Sequence, residues 1–150
     1  MPKQSNKHIP TPFELFHVEC DKGWLPLIEP LVKYIENYNK DKKDEEKIEI
    51  LQIKEKFGGL RFYTNFYTTE LSDMIRSAEK ESYSTCECCG SKVNVGQTCS
   101  GWITTICLSC VKQQANQKTR CYLWKNAETQ ERYIIHPDRT IKKLVENDVQ

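Results

Sequence analysis

The chain has no long apolar run, since nothing in its 150 residues approaches the ~18 consecutive apolar residues of a membrane-spanning helix. The stretch MPKQSNKHIP at residues 1–10 contains neither an apolar core nor a small-residue cleavage site, so we expect no secretory signal. The formal net charge is only +1, which gives the chain as a whole no strong attraction to nucleic acid. These absences favour a cytoplasmic protein, in a reducing compartment where structural disulfides are rare.

Motifs of catalysis are missing as well. The histidines His8, His17 and His136 lie in separate segments, and none has the spacing of a metal or nucleophile motif. There is no P-loop, no G-x-S-x-G and no H-E-x-x-H. We therefore interpret each histidine as a surface or packing residue and predict a protein that is not an enzyme.

Cysteine, in contrast, is abundant, and four of the eight cysteines form two C-x-x-C pairs separated by 17 residues. The pairs are Cys86 with Cys89 and Cys107 with Cys110. This spacer lies within the range that is typical of four-cysteine zinc sites. Four thiolates leave no open position on a tetrahedral ion, so the pattern predicts structural rather than catalytic Zn²⁺. Disulfide pairing among these cysteines is the alternative.

The other four cysteines, Cys20, Cys88, Cys99 and Cys121, have no such partner spacing. Their simplest interpretation is that of small buried hydrophobic residues. Cys88 lies inside the first pair and is an alternative ligand, as is Cys99. The sequence leaves the roles of all four open.

Apolar periodicity predicts a helix from Gly23 to Tyr38. Apolar side chains recur there at steps of three and four residues, which places them on one buried face. They are Trp24, Ile28, Leu31, Ile35 and Tyr38. Pro26 suits a first helical turn, whereas Pro30 predicts a kink or a later start.

A hairpin and a second helix are predicted after the charged loop at residues 39–47. Alternating β-branched and aromatic residues from Ile48 to Tyr67 indicate two strands, with the turn at Gly58-Gly59. The next segment, from Thr69 to Tyr83, is typical of a helix capped by Thr68 or Thr69.

The cysteine pairs belong to a predicted zinc module at residues 84–119. Between the pairs, KVNVG and GWITTI predict two short strands, and LSCVKQQANQK predicts a helix that opens at the second pair. The turn at the first cysteine pair, here called the knuckle, is followed by a hairpin and then a helix. This order indicates a treble-clef-like arrangement. Trp102, on the second predicted strand, is expected to be buried against this module; an exposed stacking residue is the alternative.

The remaining chain predicts a second hairpin and a short helix. RCYLWKNAETQERYIIHP supplies the hairpin, and Asp138 is a candidate cap for a helix that buries Ile141, Leu144 and Val145. Residues 1–12 are polar and indicate a loose leader. We expect residues 13–150 to form a single α+β domain of small antiparallel sheets or hairpins, packed helices and the zinc module.

The decapeptide KEKFGGLRFY, residues 54–63, is the best candidate for a binding site outside the cysteines. Strand alternation places its cations and one tyrosine on single faces of the two strands. If the faces coincide, these side chains surround exposed glycine amides and hold a phosphate or carboxylate, while the ring stacks on a base. The candidate residues are Lys54, Lys56, Gly58, Gly59, Arg61 and Tyr63.

Two alternatives remain for this decapeptide. It is a plain hairpin turn whose charges face water, or Arg61 is buried in a salt bridge with Glu55 or Glu49. In the second case the decapeptide is a structural signature.

Residues 20–110 resemble a family of small, uncharacterised phage and prophage proteins. The segments that carry the resemblance are CDKGWLPLIEPL, QIKEKFGGLRFYT, AEKES, TCECCG and GWITTICLSC. In that family the last metal position is cysteine or histidine, and Cys110 fits a four-cysteine site. The resemblance implies a phage-type accessory protein that acts inside a bacterium, and it implies no reaction or substrate.

Three hypotheses of function follow. The first is a non-enzymatic, zinc-stabilised binding protein that interferes with a bacterial host or anti-phage defence component. The second is a sponge for a small nucleotide signal, bound by the hairpin at residues 54–63. The third is a nucleic-acid binding module that uses the basic stretch at residues 112–143 and Trp124.

Overall fold

Three α-helices and two small β-sheets form an α+β fold in residues 15–99 and 101–145, the part of the chain that the computed structural model describes. The helices are α1 (Leu25–Asn39), α2 (Thr69–Ser82) and α3 (Leu108–Lys118). The strands are β1 (Val18–Glu19), β2 (Ile50–Lys56), β3 (Gly59–Thr64), β4 (Val95–Thr98), β5 (Thr105–Cys107), β6 (Tyr122–Asn126), β7 (Arg132–Ile135) and β8 (Ile141–Lys143).

The first sheet has the order β1-β2-β3 and packs with α1 and α2 around one hydrophobic core. Strands β2 and β3 are antiparallel as expected, but β1 runs parallel to β2, which the sequence did not predict. The predicted apolar stripe is confirmed: Trp24, Ile28, Leu31 and Ile35 are buried. This core holds the hairpin β2–β3 in place from one side.

Helix α2 also protects the free edge of β3. Thr68 caps the helix by accepting a hydrogen bond from the Leu71 N–H at 3.0 Å. Farther along, Ser82 Oγ accepts from the Leu60 N–H at 2.9 Å and Glu79 Oε2 accepts from the Phe62 N–H at 3.1 Å. Side chains of the helix thus satisfy backbone donors that would otherwise be left unpaired at a sheet edge.

Pro30 lies inside α1. The helix begins at Leu25, so the alternative of a later start is wrong. A proline in that position cannot donate to the carbonyl of Pro26. Both prolines are exposed, so water can bond the freed carbonyl and the helix continues.

The turn of the β2–β3 hairpin lies one residue earlier than predicted. Lys56 pairs with Gly59, so the two central residues are Phe57 and Gly58, with φ of 53° and 84°. Two positive φ values are the signature of the tight turn that matches the twist of a hairpin. Gly59 is therefore the first residue of β3, and Phe57 occupies the tip.

The second sheet has the order β5-β4-β6-β7-β8 and is antiparallel throughout. Helix α3 packs against one face and covers Trp124 and Ile135, which together with Val111 and Ala115 form a second hydrophobic core. The hairpin predicted for the tail is confirmed as β6–β7. Because Trp124 is only 1% exposed, it is not available as a contact for nucleic acid.

Trp102 is exposed, and its predicted burial on a strand is wrong. The strands begin and end elsewhere, at VGQT and TIC, and Trp102 lies in the loop that joins them with 78% of its surface exposed. Thr98 closes this loop because its hydroxyl donates to the Trp102 carbonyl at 2.8 Å and accepts from the Thr104 N–H at 2.9 Å. The loop therefore directs the indole away from the core.

The short helix predicted after Asp138 is also wrong. Asp138 Oδ1 accepts from the Thr140 N–H, and Arg139 has a φ of 72°, so the chain reverses there. Ile141 then pairs with Ile135 as part of β8. Pairing with β7 satisfies more backbone groups than an isolated helical turn would. The predicted leader at residues 1–12 lies outside the described residues.

Trp124 and Trp102, both in the half of the chain that forms the second sheet, lead to opposite predictions. Trp124→Ala should lower the free energy of unfolding by about 3–5 kcal/mol, because it empties a core position. Trp102→Ala should change it by less than about 0.5 kcal/mol, because the side chain is exposed. Chemical denaturation followed by circular dichroism measures both values. Equal destabilisation by the two substitutions would contradict this placement.

Candidate metal centre and the adjoining surface

Four cysteines from two separate segments meet at one point. Cys86 and Cys89 lie in the knuckle that follows α2, while Cys107 is the N-cap of α3 and Cys110 lies in its first turn. Their four sulfur atoms all lie within 4.8 Å of one another. A cluster of four soft thiol ligands at this spacing can bind a metal ion.

Each pair is closed by the same local hydrogen bond. The Cys89 N–H donates to Cys86 Sγ at 3.4 Å, and the backbone of Cys110 bonds to the sulfur of Cys107 in the same way. Gly90 directly follows the first pair and has a φ of 84°, which glycine adopts without strain. Both pairs therefore present two sulfurs from a single tight turn.

Ionisation of one thiol in the cluster disfavours ionisation of the next. Cys89 Sγ and Cys107 Sγ are 3.7 Å apart. Burial, followed by hydrogen bonds with Cys107 and Cys89, raises the pKa of Cys110 well above its ordinary value. Burial opposes ionisation of Cys89 too, but a backbone hydrogen bond at Ser91 and bonds with the other cysteines lower its pKa. One thiolate forms readily and the next does not, unless a cation compensates the charge.

None of the other four cysteines belongs to this cluster, and all eight are free thiols. Burial, with Glu87, Asp21 and Glu55 nearby, raises the pKa of Cys20 to about 12. Burial also raises the pKa of Cys88, against a hydrogen bond with Cys110 that lowers it. Geometry excludes both as members of the ligand set, because among the described residues only the sulfurs of Cys86, Cys89, Cys107 and Cys110 meet within 4.8 Å.

Cys99 and Cys121 lie elsewhere on the second sheet. Cys99 Sγ donates to the Gln97 carbonyl at 3.4 Å. Cys121 Sγ lies 3.6 Å from His136 Nδ1 at an exposed position. The sequence could not predict this last contact, because the two residues are brought together by the pairing of β6 and β7.

The knuckle of the first pair docks directly against the segment before α1. The Gly23 N–H donates to the Glu87 carbonyl at 2.7 Å, and Trp24 Nε1 donates to the Thr85 carbonyl at 2.9 Å. A Cβ on Gly23 would lie 2.3 Å from the carbonyl oxygens of Cys86 and Glu87, so only glycine allows this approach. The segment that carries the four-cysteine cluster is therefore joined to the first hydrophobic core by hydrogen bonds to its backbone carbonyls.

Carboxylates gather at the same junction. Glu87 Oε2 accepts from the Asp21 N–H at 3.0 Å. Burial raises the pKa of Glu87 to about 7, aided by Glu55 and Asp21 and opposed by the bond from the Asp21 backbone. The junction therefore combines a buried apolar side chain, Trp24, with several hydrogen-bonded polar groups.

Register decides how the decapeptide residues are arranged. Lys54 pairs with Arg61 across the hairpin, Lys56 pairs with Gly59, and Tyr63 pairs with Gln52. Directly opposed residues of antiparallel strands share a face, so the three cations and Tyr63 lie on the same outer face. The condition that the two faces coincide is met.

The glycine amides, however, are not exposed as the prediction required. Gly58 and Gly59 are buried. The Gly58 N–H donates to Glu55 Oε2 at 2.7 Å, and the Gly58 carbonyl accepts from Thr105 Oγ1 at 2.5 Å. The turn thus docks onto β5 of the second half, so these glycines join two parts of the fold instead of binding an anion.

Arg61 has a different partner from the glutamates considered above. Its Nη2 donates to Tyr83 Oη at 3.2 Å, and its Nη1 donates to the carbonyl of Leu60 at 3.0 Å. Neither Glu55 nor Glu49 forms an ion pair with it among the described residues. The guanidinium therefore keeps its charge available on the outer face, next to a tyrosine that the sequence did not indicate.

Two exposed aromatic residues were missing from the predicted site. Phe57, 69% exposed, and Trp102 line a cleft of about 250 Å³ together with Glu55, Lys56, Gly101 and Ile103. The sequence pattern places the turn one residue too late, at Gly58-Gly59, and therefore gives no signal for Phe57 at the tip. It also favours burial of Trp102, because this residue falls on a predicted strand.

Comparison of the chain with protein-family models, with curated proteins and with solved structures gives no match. Among the described residues, no helix has the length and apolar character needed to cross a membrane.

Proposed function

We propose that the four-cysteine cluster binds one structural Zn²⁺ in a treble-clef-like module. A Zn–S bond of about 2.3 Å in tetrahedral geometry separates two sulfurs by roughly 3.8 Å. The 3.7 Å between Cys89 and Cys107 agrees with that spacing. The order of knuckle, β4–β5 hairpin and α3, with the second pair at the helix N-terminus, also supports this assignment. The helix end stabilises the thiolates as well.

A site of this kind stabilises the fold and is not itself a catalytic centre. Four thiolates complete the coordination of zinc and leave no position for a substrate or water. The cluster instead fixes the contact between the two halves of the fold. Phe57 and Trp102 are exposed beside this contact. We infer that the protein is a non-enzymatic binding protein of the phage type that its sequence resembles, and that it interferes with a bacterial host or defence component. The convergence of four sulfurs within 4.8 Å supports the zinc assignment, and the exposed aromatic cleft supports the binding role.

Metal content tests the first part of the proposal. Purified protein should contain about one zinc per chain, measured by mass spectrometry of the native protein. Because apparent zinc binding contributes roughly 10–16 kcal/mol in small modules, Cys110→Ser or a strong chelator should unfold the second half. Cys121→Ser is the matched control and should keep both metal and fold. Folded protein without metal, or with disulfides between these cysteines, would refute the assignment.

Capture from a bacterial lysate tests the second part. Tagged protein should retain a specific host component, and the double substitution Phe57→Ala/Trp102→Ala should lose most of it without loss of zinc. Leu51→Ala/Tyr67→Ala is the control, since both residues are exposed and neither lines the cleft. Equal retention by the two double variants would exclude the cleft as the binding surface.

A small anionic ligand on the outer face of the hairpin is the second candidate function. The observation that favours it is the register that sets Lys54 opposite Arg61, with Tyr63 on the same face. Charge-assisted bonds and a stacking ring suit a nucleotide. The protein would then act as a sponge for a nucleotide signal. This version needs no exposed glycine amide.

Arg61→Ala distinguishes this candidate. A charge-assisted contact is worth about 1.5–3 kcal/mol, so the substitution should weaken nucleotide binding roughly ten- to a hundredfold. Arg61→Lys should not restore it fully, because the planar fork is lost. Nucleotides that co-purify from lysate are identified by mass spectrometry and then titrated by calorimetry, with Arg76→Ala on α2 as the control. Unchanged binding by folded Arg61→Ala protein would remove the hairpin face from consideration.

A further inference from the structure

The second sheet has one face that α3 does not cover. Trp124 and Ile135 point toward α3 and are buried, so their strand neighbours point the other way. The register aligns these neighbours in two rows across the sheet. One row is Gln97, Lys125 and Arg132, and the next is Leu123, Ile134 and Lys142.

All the charged strand residues on this open face are cations. It carries Lys125, Arg132 and Lys142, and no strand residue on it is acidic. Among residues 15–99 and 101–145, none of the three has an ion-pair partner. On the opposite face, by contrast, Lys143 forms a salt bridge with Glu131. The formal net charge of +1 therefore hides a local charge of +3.

The open face adjoins the aromatic cleft. Gln97 begins the first row, and an added Cβ on Gly58 would lie 3.0 Å from its Nε2. Gly58 directly follows Phe57. Adjacent strands are about 4.8 Å apart, so Arg132 lies roughly 10 Å from Gln97 across the sheet. Lys125 and Arg132 also act electrostatically on the thiol of Cys99, at the end of β4 where the loop with Trp102 begins.

Phe57 is not explained by the fold. Its φ of 53° is unfavourable for a bulky side chain, so the backbone is strained at this position. Asparagine or glycine is preferred in such a turn. The ring gains little burial in return, because it is 69% exposed. A strained and exposed aromatic residue beside an exposed tryptophan indicates a binding contact.

We propose that this face and the aromatic cleft together bind single-stranded nucleic acid. Phe57 and Trp102 stack on unpaired bases, while Lys125, Arg132 and Lys142 neutralise the phosphates of the same strand. Duplex bases are already stacked and paired, so a duplex offers the rings no partner. Glu55, also in the cleft, is held by the Gly58 N–H. The inference rests on the proposed function as a binding protein and names the class of partner.

Fluorescence anisotropy with labelled DNA of about 12 nucleotides, within the ~4–16 nucleotides of comparable sites, tests the inference on the full chain. A duplex of the same sequence and a single-stranded RNA are the other arms. Trp102→Ala should weaken single-strand binding about five- to 150-fold, the equivalent of ~1–3 kcal/mol of stacking. Lys125→Gln/Arg132→Gln/Lys142→Gln should reduce the slope of log K against log salt by about 2.

The control is Lys33→Gln/Lys40→Gln/Lys80→Gln, which removes the same charge from exposed positions on or beside α1 and α2. It should leave the slope nearly unchanged. Equal losses in the two triple variants, a preference for duplex, or no binding to either single strand at low salt would overturn the inference. Capture of a nuclease-resistant protein partner through Phe57 and Trp102, without oligonucleotide binding, would assign the cleft to protein instead. Zinc content and unfolding report separately on the proposed function.

Discussion

The fold depends on four sulfur atoms that meet within 4.8 Å although they come from two segments of the chain. Thiols this close cannot all ionise without a cation, and a cation fixes them in one geometry. That geometry ties the knuckle at Cys86 and Cys89 to the start of α3. It thereby sets the position of the carbonyls of Thr85 and Glu87, which receive Trp24 and Gly23. Loss of the cluster would free a contact of the first core as well as the second.

Two hydrophobic cores are joined at two points. One is the knuckle against Gly23 and Trp24, and the other is the turn at Gly58 against Thr105. The Gly23-Trp24 pair supplies the first contact, and the Gly58-Gly59 segment supplies the second. Both segments therefore join the two halves of the fold. Phe57 is the exception, because it lies directly beside the second contact yet contributes little to packing.

Two separate faces of the molecule each carry a group of cations. Lys54 and Arg61 lie on the outer face of the first sheet, where Tyr83 accepts a hydrogen bond from Arg61. Lys125 and Arg132 lie on the uncovered face of the second sheet. The composition gives only the net charge, in which acidic residues offset these cations. Association with an anion depends instead on the local field of each face, which the strand register creates.

Local patterns in the sequence determined much of this protein. The cysteine spacing, the helical periodicity after Trp24, the cap at Thr68 and the alternation around the decapeptide each act over a few residues. The four-cysteine cluster, α1, the capped α2 and the β2–β3 hairpin are present. Pairing between distant strands decided the rest. It moved the turn to Phe57, made β8 a strand, buried Trp124 beneath α3 and left Trp102 in a loop. Exposure of a side chain depends on what the rest of the chain brings to it, and a residue's own neighbours in sequence do not encode that.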